Sequence, residues 1–421
     1  MSASAVARAL AHRTPFFYGW IVLFAVCCAG FARQGPAVAT LSIYVEPMTS
    51  EFGWSRTAIS GAVSLAGVLA ALLSPMLGPL LDRHGARMML TLAVLATGLA
   101  VASLAFTTSI FYFYVAFCIA RTCFAGPFDL GIYGAVNNWF LRHRAMATAI
   151  SNVAMMTGLV CLPLIAQMSI DRVGWRESWL VLGATVLLVG LLPVWLLVGR
   201  RPEDMGLEVD GGRGQLKRDA QGRPVQPVPE PTFSRSQAMR TPTFWLLNLF
   251  TFLVFPIQAG ISLHQAPLLI ERGIDAPTAA FVVAMFSLCS GISGLLFGFV
   301  VRRLGVKASL LLSALVLIAS VFAMEALSNA AEAFLAAALF GFAIGGIFTI
   351  LPVAWADYFG RESYGAIRGI ALSIQVIAQA SGPLLSGVMR DVTGDYSLGM
   401  YVYASFATAA FMVAFFFTRP K

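Results

Sequence analysis

Charged side chains are scarce in this sequence. They make up 11% of the 421 residues, whereas hydrophobic residues make up 58%, and the mean hydropathy is +0.80. Soluble proteins carry about 25% charged residues, so this composition excludes a soluble enzyme and indicates a protein whose surface faces lipid. The formal net charge of +8 does not indicate nucleic-acid binding, because the basic residues fall in short loops between apolar segments.

Cysteine and histidine are also few. The six cysteines lie inside apolar segments, and none is spaced from one of the four histidines in the way that metal ligands are. The sequence lacks the Gly-x-x-x-x-Gly-Lys-Ser/Thr loop that binds nucleotide phosphates. We therefore predict no enzyme activity, no metal and no cofactor, and expect the protein to draw on an ion or substrate gradient for energy.

Long apolar segments are abundant instead. A bilayer core about 30 Å thick is crossed by about 20 apolar residues in a helix, and segments of this kind predict an all-α membrane protein with 12 transmembrane helices. They lie at 17–40, 56–81, 88–107, 109–138, 145–168, 175–198, 243–267, 277–301, 307–328, 331–356, 366–390 and 396–418.

Landmarks of the first half recur in the second half at a constant spacing. Pro47 recurs as Pro267, and the run Gly78–Arg87 recurs as Gly298–Lys307, in each case 220 residues later. This offset indicates an ancient duplication and predicts two pseudo-symmetric six-helix bundles. In a strongly apolar chain, duplicated halves are typical of transporters whose two halves rock about a central site.

The predicted domains are an N-terminal bundle at 1–200, a linker at 201–242 and a C-terminal bundle at 243–421. Lysine and arginine concentrate in the loops on one side, which also carries the linker and both termini. Because basic loops stay in the cytoplasm, we predict cytoplasmic termini in a plasma membrane, the inner membrane if the source is bacterial. The linker is rich in proline and glycine and is expected to be flexible.

One loop carries a family signature. The spacing Gly78-x-x-x-Asp82-Arg83-x-Gly85-x-Arg87, in the loop after the second span, resembles the signature of the major facilitator superfamily. The resemblance implies a twelve-helix transporter that works by alternating access and gates at this loop. The glycines allow helices to approach closely, and we expect Asp82 to pair with basic groups across the loop.

Several short runs resemble a narrower branch, that of monocarboxylate transporters and oxalate:formate antiporters. They are Tyr18–Trp20, Glu46–Arg56, Asn138–Arg144, Arg201–Gly206, Ala356–Arg361 and Asp391–Tyr396. Members of that branch usually carry an Arg in the eighth span, and oxalate-type antiporters a Lys in the eleventh. Here the eighth span has no such charge, and the eleventh is interpreted as offering only glutamines, so the resemblance implies no particular substrate.

Three charges stand out inside the predicted spans, where a charge costs about 2.5 kcal/mol or more. Arg33, in the first span, is a candidate to hold a substrate carboxylate with its planar fork. Arg121 lies near mid-depth in the fourth span and is a further candidate for substrate binding, and the resemblance links this position to proton movement. Asp129 is the candidate proton carrier, placed about 80° from Arg121 around one continuous helix. A structural ion pair is the alternative for all three.

Uncharged polar residues inside the spans complete the predicted substrate site. They are Tyr133, Gln258, His264, Gln375 and Gln379. The alternative is that such residues only join helices to one another.

These features favour a monomeric secondary active transporter that binds a small organic anion, monocarboxylate-like, and moves it together with a proton across the lipid bilayer. Three alternatives stay open: transport of a larger neutral or aromatic compound such as a vitamin or drug, exchange of organic anions, and a membrane sensor that does not transport.

Overall fold

The structure is a computed structural model that describes residues 3–212 and 230–420. The middle of the predicted linker, residues 213–229, lies outside the described residues. The described chain divides into two compact units. Unit 1 comprises Met1–Ser234 and Phe359–Ile370, and unit 2 comprises Arg235–Tyr358 and Ala371–Lys421. A short segment from the second half of the sequence therefore belongs to unit 1.

Helices account for nearly all regular structure, and the described ranges contain no strand. In the first half the α-helices are α1 (Ala3–Arg13), α2 (Gly19–Ala32), α3 (Val38–Phe52), α4 (Arg56–Ser103), α5 (Ile110–Ala125), α6 (Pro127–Trp139), α7 (Arg144–Val173) and α8 (Trp175–Leu197). Short 3-10 helices cover Leu104–Phe106, Glu203–Met205 and Val209–Gly212.

The described part of the second half has six α-helices. They are α9 (Arg235–Met239), α10 (Pro242–Glu271), α11 (Ala276–Ala326), α12 (Ala330–Phe359), α13 (Tyr364–Thr393) and α14 (Ser397–Phe415). The first turns of α13 belong to unit 1 and the rest of this helix to unit 2.

Nine helical segments among the described residues are long and apolar enough to cross a membrane, and one of them, Ile110–Trp139, consists of α5 and α6 together. Two of them, α4 and α11, have double length, and each turns at a glycine in its middle. Gly85 has φ 82° and ψ 165°, and Gly305 has φ 78° and ψ 170°, a backbone region that is essentially restricted to glycine. With α4 and α11 counted as two spans each, and with the shorter α2, the described residues carry the twelve predicted spans.

Two predicted spans are broken rather than continuous. The prediction of one helix over 17–40 is wrong, because α2 ends at Ala32 and α3 begins at Val38. Pro36 lies in the break, and proline disfavours helical backbone at the residue before it. The prediction of one helix over 109–138 is also wrong, since Gly126 has φ −108° and ψ −87° and separates α5 from α6.

Helix starts follow from the local sequence. Ser55, Ser109, Thr241 and Asp275 each precede a helix, and each side chain accepts a hydrogen bond from a backbone N–H in the first turn of that helix. These caps satisfy donors that the helix itself leaves without partners.

The core of unit 1 is packed around aromatic rings. Tyr44 stacks on Trp179 with ring centroids 3.6 Å apart, and its hydroxyl lies 2.7 Å from that of Ser178. At the edge of this core, Arg176 and Trp175 donate hydrogen bonds to the Glu51 carboxylate. The hydrogen bond from Arg176 holds the pKa of Glu51 below its ordinary value.

Candidate functional site

The centre of the candidate site is a carboxylate between two guanidinium groups in unit 1. Asp129 Oδ1 accepts a hydrogen bond from Arg368 Nη2 at 3.2 Å, and Asp129 Oδ2 lies 3.7 Å from Arg33 Nη2. The three side chains are largely buried, with 7% of Asp129, 3% of Arg368 and 12% of Arg33 exposed. Charges at this depth are retained only when they are paired.

Arg33 has donor capacity left over. Its Nη1 donates to the sulfur of Met155 at 3.1 Å, a weak acceptor. Its Nε is buried and has no hydrogen-bond partner within 3–212 and 230–420. A buried donor without a partner costs about 1–3 kcal/mol, so a ligand oxygen at this atom would remove an existing penalty.

Arg121 adds a third guanidinium group to the cluster. The Phe124 ring is shared, with its centroid 4.4 Å from Arg33 Cζ and 3.9 Å from Arg121 Cζ, as in cation–π contacts. Arg121 Nη1 also donates to the carbonyl oxygen of Pro36 at 3.4 Å. Among the described residues Arg121 forms no ion pair with a carboxylate, so this cluster has three guanidinium groups and one carboxylate.

The break at Gly126 decides where Asp129 lies. Pro127 starts α6, and Asp129 is in its first turn. The backbone N–H groups at a helix N-terminus favour a negative charge there. The angle of about 80° predicted between Arg121 and Asp129 assumed one continuous helix, and the break removes that assumption. Asp129 pairs with Arg33 and Arg368 instead.

Tyr133 lies one turn beyond Asp129 on α6. It is buried, and its hydroxyl donates to Asn152 Oδ1 at 2.8 Å. This bond holds a polar group of α6 against α7. Its predicted role in substrate binding stays a prediction.

The predicted polar residues of unit 2 form two separate groups. Gln379 Nε2 donates to Gln258 Oε1 at 3.1 Å, and Gln375 lies one turn earlier on α13, half-buried. The ring of His264 lies apart from this pair, with Nδ1 3.2 Å from the Tyr396 hydroxyl and Nε2 3.3 Å from the Pro383 carbonyl oxygen. Since a carbonyl only accepts, Nε2 donates and Nδ1 accepts in the neutral ring.

The signature loop makes a contact that differs from the expected one. We predicted that Asp82 pairs with basic groups, but within the described residues it forms no ion pair with a basic side chain. Its two carboxylate oxygens accept hydrogen bonds from the backbone N–H groups of Gly365 and Ala366, both at 2.7 Å. These residues open α13, and the first N–H groups of a helix have no partner inside it.

The other signature residues shape this contact. A side chain at Gly78 would collide with the backbone of Gly365, so glycine is required for the approach of α4 to α13. Arg87 Nε donates to the Val198 carbonyl oxygen at 2.5 Å. Arg83 is exposed and makes no hydrogen bond in the part of the chain that the structure describes.

Sequence reasoning missed two features. Arg368 was not recognised as an intramembrane charge, because it lies near the start of the predicted eleventh span and resembles a flanking residue. The second half therefore also contributes a buried charge to the candidate site. The second feature is Glu230 at the end of the linker, which pairs with Arg144 at 2.8 Å and with Arg361 at 3.0 Å.

The sequence model of the Major Facilitator Superfamily matches residues 22–271 and 261–421 of this chain. The chain belongs to the Major Facilitator Superfamily. Human monocarboxylate transporter 7 is 22% identical over 92% of this chain and 84% of its own length. The membrane sensor protein UhpC of Escherichia coli is 26% identical over 77% of this chain and 75% of its own. The resemblance to the monocarboxylate transporter branch is thus confirmed.

Solved structures of the superfamily share the fold. The proton:xylose symporter XylE bound to 6-bromo-6-deoxy-D-glucose matches with a TM-score of 0.75 at 14% identity, over 96% of this chain and 97% of its own. The human organic anion transporter MFSD10 matches with a TM-score of 0.68 at 17% identity, over 94% and 98%. The predicted fold class, an all-α membrane protein with 12 transmembrane helices in two six-helix bundles, is confirmed.

Proposed function

We propose that this chain is a secondary active transporter that moves a small, monocarboxylate-like organic anion by alternating access, together with a proton. The observation that carries the proposal is the surplus of positive charge around Asp129. The cluster contains three guanidinium groups and one carboxylate. Asp129 pairs with Arg33 and Arg368, and Arg121 has no carboxylate partner among the described residues. A buried surplus of positive charge favours an anion as the ligand.

A substrate carboxylate would bind where donors remain. Within the described part of the chain, Arg33 Nε lacks a hydrogen-bond partner. Arg121 donates to a carbonyl oxygen there and lies over the Phe124 ring. Two guanidinium groups that face the same ring can share the two oxygens of one carboxylate. Phe124 and Met155 supply apolar contacts for a short carbon chain next to that group.

Proton coupling would follow from competition for Arg33. Its ion pair with Asp129, at 3.7 Å, is longer than a hydrogen bond, so a substrate carboxylate can replace Asp129 at Arg33. Protonation of Asp129 would remove its charge and release Arg33 for the substrate. The roles of Gln258, His264, Gln375 and Gln379 as hydrogen-bonding partners of the substrate belong to the same proposal and rest on the sequence.

Transport itself is what the superfamily does, and its members bind small molecules, often with protons. That the substrate is an organic anion is our more specific proposal, and the positive charge of the cluster around Asp129 supports it. We also propose a monomer in a bacterial inner membrane with cytoplasmic termini, on the distribution of basic loops.

Uptake into proteoliposomes tests the function. Purified protein is offered a panel of labelled monocarboxylates with and without an inward proton gradient, and then with unlabelled acid inside. We expect one acid to accumulate in response to the gradient. Arg121→Gln should lower its uptake about thirtyfold or more, which corresponds to about 2 kcal/mol for a lost buried charge contact. Arg142→Gln, at an exposed loop position, is the matched control.

The outcomes separate the alternatives. Full uptake by Arg121→Gln would contradict the anion site. Uptake that ignores the gradient and accelerates with preloaded acid would replace symport by exchange. Uptake of only neutral or aromatic compounds would favour the larger-substrate alternative.

A sensor is the second candidate function, because UhpC proteins of two bacteria are among the relatives. It predicts that an acid of the panel raises the melting temperature of the protein but does not enter the vesicles.

A further inference from the structure

A basic pocket lies in unit 1, near the signature loop and away from the cluster around Asp129. Its volume is about 200 Å³, and Arg8, Arg87 and Arg200 line it together with His84. The three arginines come from α1, from the second segment of α4 and from the chain just after α8. Three separate parts of the sequence therefore bring positive charge to one place.

The charge of this pocket is not balanced by the protein. Arg87 Nε and Arg200 Nη2 donate to backbone carbonyl oxygens, at 2.5 and 3.2 Å. None of the three guanidinium groups forms an ion pair with a carboxylate in the described ranges, and Asp204 is the one acidic side chain in the lining. With His84 neutral, the pocket keeps a net charge of about +2, and guanidinium forks match the oxygens of a phosphate.

The size of the pocket limits what it can enclose. Pockets that surround a whole small molecule measure about 300–1,000 Å³, so this one fits a headgroup whose remainder lies outside.

Exposed apolar side chains occur on α4, which lines the pocket, and on α8, which ends three residues before Arg200. On α4 the exposed Met88 lines the pocket and Leu92 follows one turn further, 46% and 53% exposed. On α8 an exposed stripe consists of Trp195, Leu192 and Leu188. Tryptophan near the end of a transmembrane helix is typical of the membrane interface. A phosphate in the pocket would thus lie where acyl chains can follow both helices.

We propose that this pocket binds the phosphate of an anionic bilayer phospholipid, with its acyl chains along α4 and α8. Basic pockets next to transmembrane helices are suited to such headgroups, and the same side is the one that the basic loops assign to the cytoplasm. The apolar path favours a lipid over a free phosphate ion. The inference is independent of the proposed substrate, because it uses none of the residues around Asp129.

Lipid binding to the full-length protein tests the inference. The protein is placed in nanodiscs of phosphatidylcholine alone or with one quarter phosphatidylglycerol. Its melting temperature is measured in both, and retained lipid is counted by native mass spectrometry. Arg8→Gln and Arg200→Gln change exposed arginines of the pocket. Arg13→Gln, exposed on the same helix as Arg8 but outside the pocket, is the control. Inorganic phosphate is added in a separate arm.

We expect phosphatidylglycerol to raise the melting temperature and to be retained preferentially. Each pocket variant should weaken retention about fivefold, the factor for about 1 kcal/mol per basic residue near an anionic surface, and Arg13→Gln should not. Equal retention by all variants would overturn the proposal. So would a melting temperature that inorganic phosphate raises as much as the lipid does, since the ligand would then be a free anion.

Discussion

Asp129 illustrates how a single residue can be tolerated at membrane depth. Its carboxylate faces Arg33 and Arg368 and lies in the first turn of α6. Two guanidinium groups and a helix N-terminus together compensate more than one negative charge. The negative charge of Asp129 therefore neutralises part of the positive charge around it. Removal of Asp129 should leave that positive charge without a counter-charge.

Asp129→Asn tests this balance. We expect the free energy of unfolding to fall by about 3–5 kcal/mol, because one partner of a buried ion pair is removed while the cations stay. Thermal denaturation of the purified protein measures the loss. If Asp129 also carries the proton, uptake of the preferred acid should no longer respond to a proton gradient.

A matched control is Asp171→Asn, which changes an exposed aspartate that accepts a hydrogen bond from Gln167. It should alter stability by less than about 0.5 kcal/mol. An equal loss in the two variants would show that Asp129 has no special place in the balance of charge.

At this scale the sequence predicted the cluster in part. Arg33, Arg121 and Asp129 could be identified because a charge inside a long apolar run is conspicuous. Arg368 could not, because a charge near the end of a predicted span has an ordinary explanation as a flanking residue. The pairing of Arg368 with Asp129 joins positions 239 residues apart, and no local pattern contains that information.

At the scale of elements, the apolar runs predicted where the spans lie but not where they bend. The bounds of α8, Trp175–Leu197, lie within one residue of the predicted 175–198, since apolar length decides them. The break between α5 and α6 was missed, although Gly126 and Pro127 are adjacent there. Glycine and proline also occur inside continuous helices of this chain, as Pro163 does in α7, so their presence alone does not locate a break.

Gly85 and Gly305 allow a comparison of two equivalent turns. Alanine at either position strains the backbone by about 1–3 kcal/mol. At Gly85 the added carbon would also lie 2.8 Å from the Arg200 side chain, whereas nothing lies within 4 Å at Gly305. We expect both variants to melt at a lower temperature than the parent protein, and Gly85→Ala to lose more.

Gly67→Ala on α4 provides the control, because Gly67 is helical and has nothing within 4 Å of the added carbon. Alanine should stabilise that position by about 0.5–1 kcal/mol. A Gly305→Ala variant that melts at or above the temperature of the parent would show that the turn carries no strain.

At the scale of the whole molecule, Glu230 connects distant parts of the sequence. Its carboxylate pairs with Arg144, the first residue of α7, and with Arg361, which precedes α13. Arg361 also contacts the Asn138 carbonyl oxygen and the carboxylate of Glu203. The end of the linker is thus part of the packed unit 1.

Glu230→Gln should destabilise the protein more than Glu203→Gln. Glu230 has 22% of its side chain exposed and compensates two guanidinium groups, whereas Glu203 has 46% exposed and one such partner. We expect a loss of about 1–3 kcal/mol for Glu230→Gln and under about 1 kcal/mol for Glu203→Gln. Thermal melting in the same detergent compares the two. A larger loss of stability for Glu203→Gln than for Glu230→Gln would contradict this prediction. It would mean that Glu230 stabilises the fold no more than a surface ion pair does.

The place of Arg368 in the sequence has a consequence during synthesis. Asp129 leaves the ribosome 239 residues before Arg368, and at about 5–20 residues per second this interval lasts roughly 12–48 s. Throughout that time the nascent first half must keep its aspartate in the translocon or the bilayer without the later cation. Arg33, which is translated earlier, is the partner already at hand.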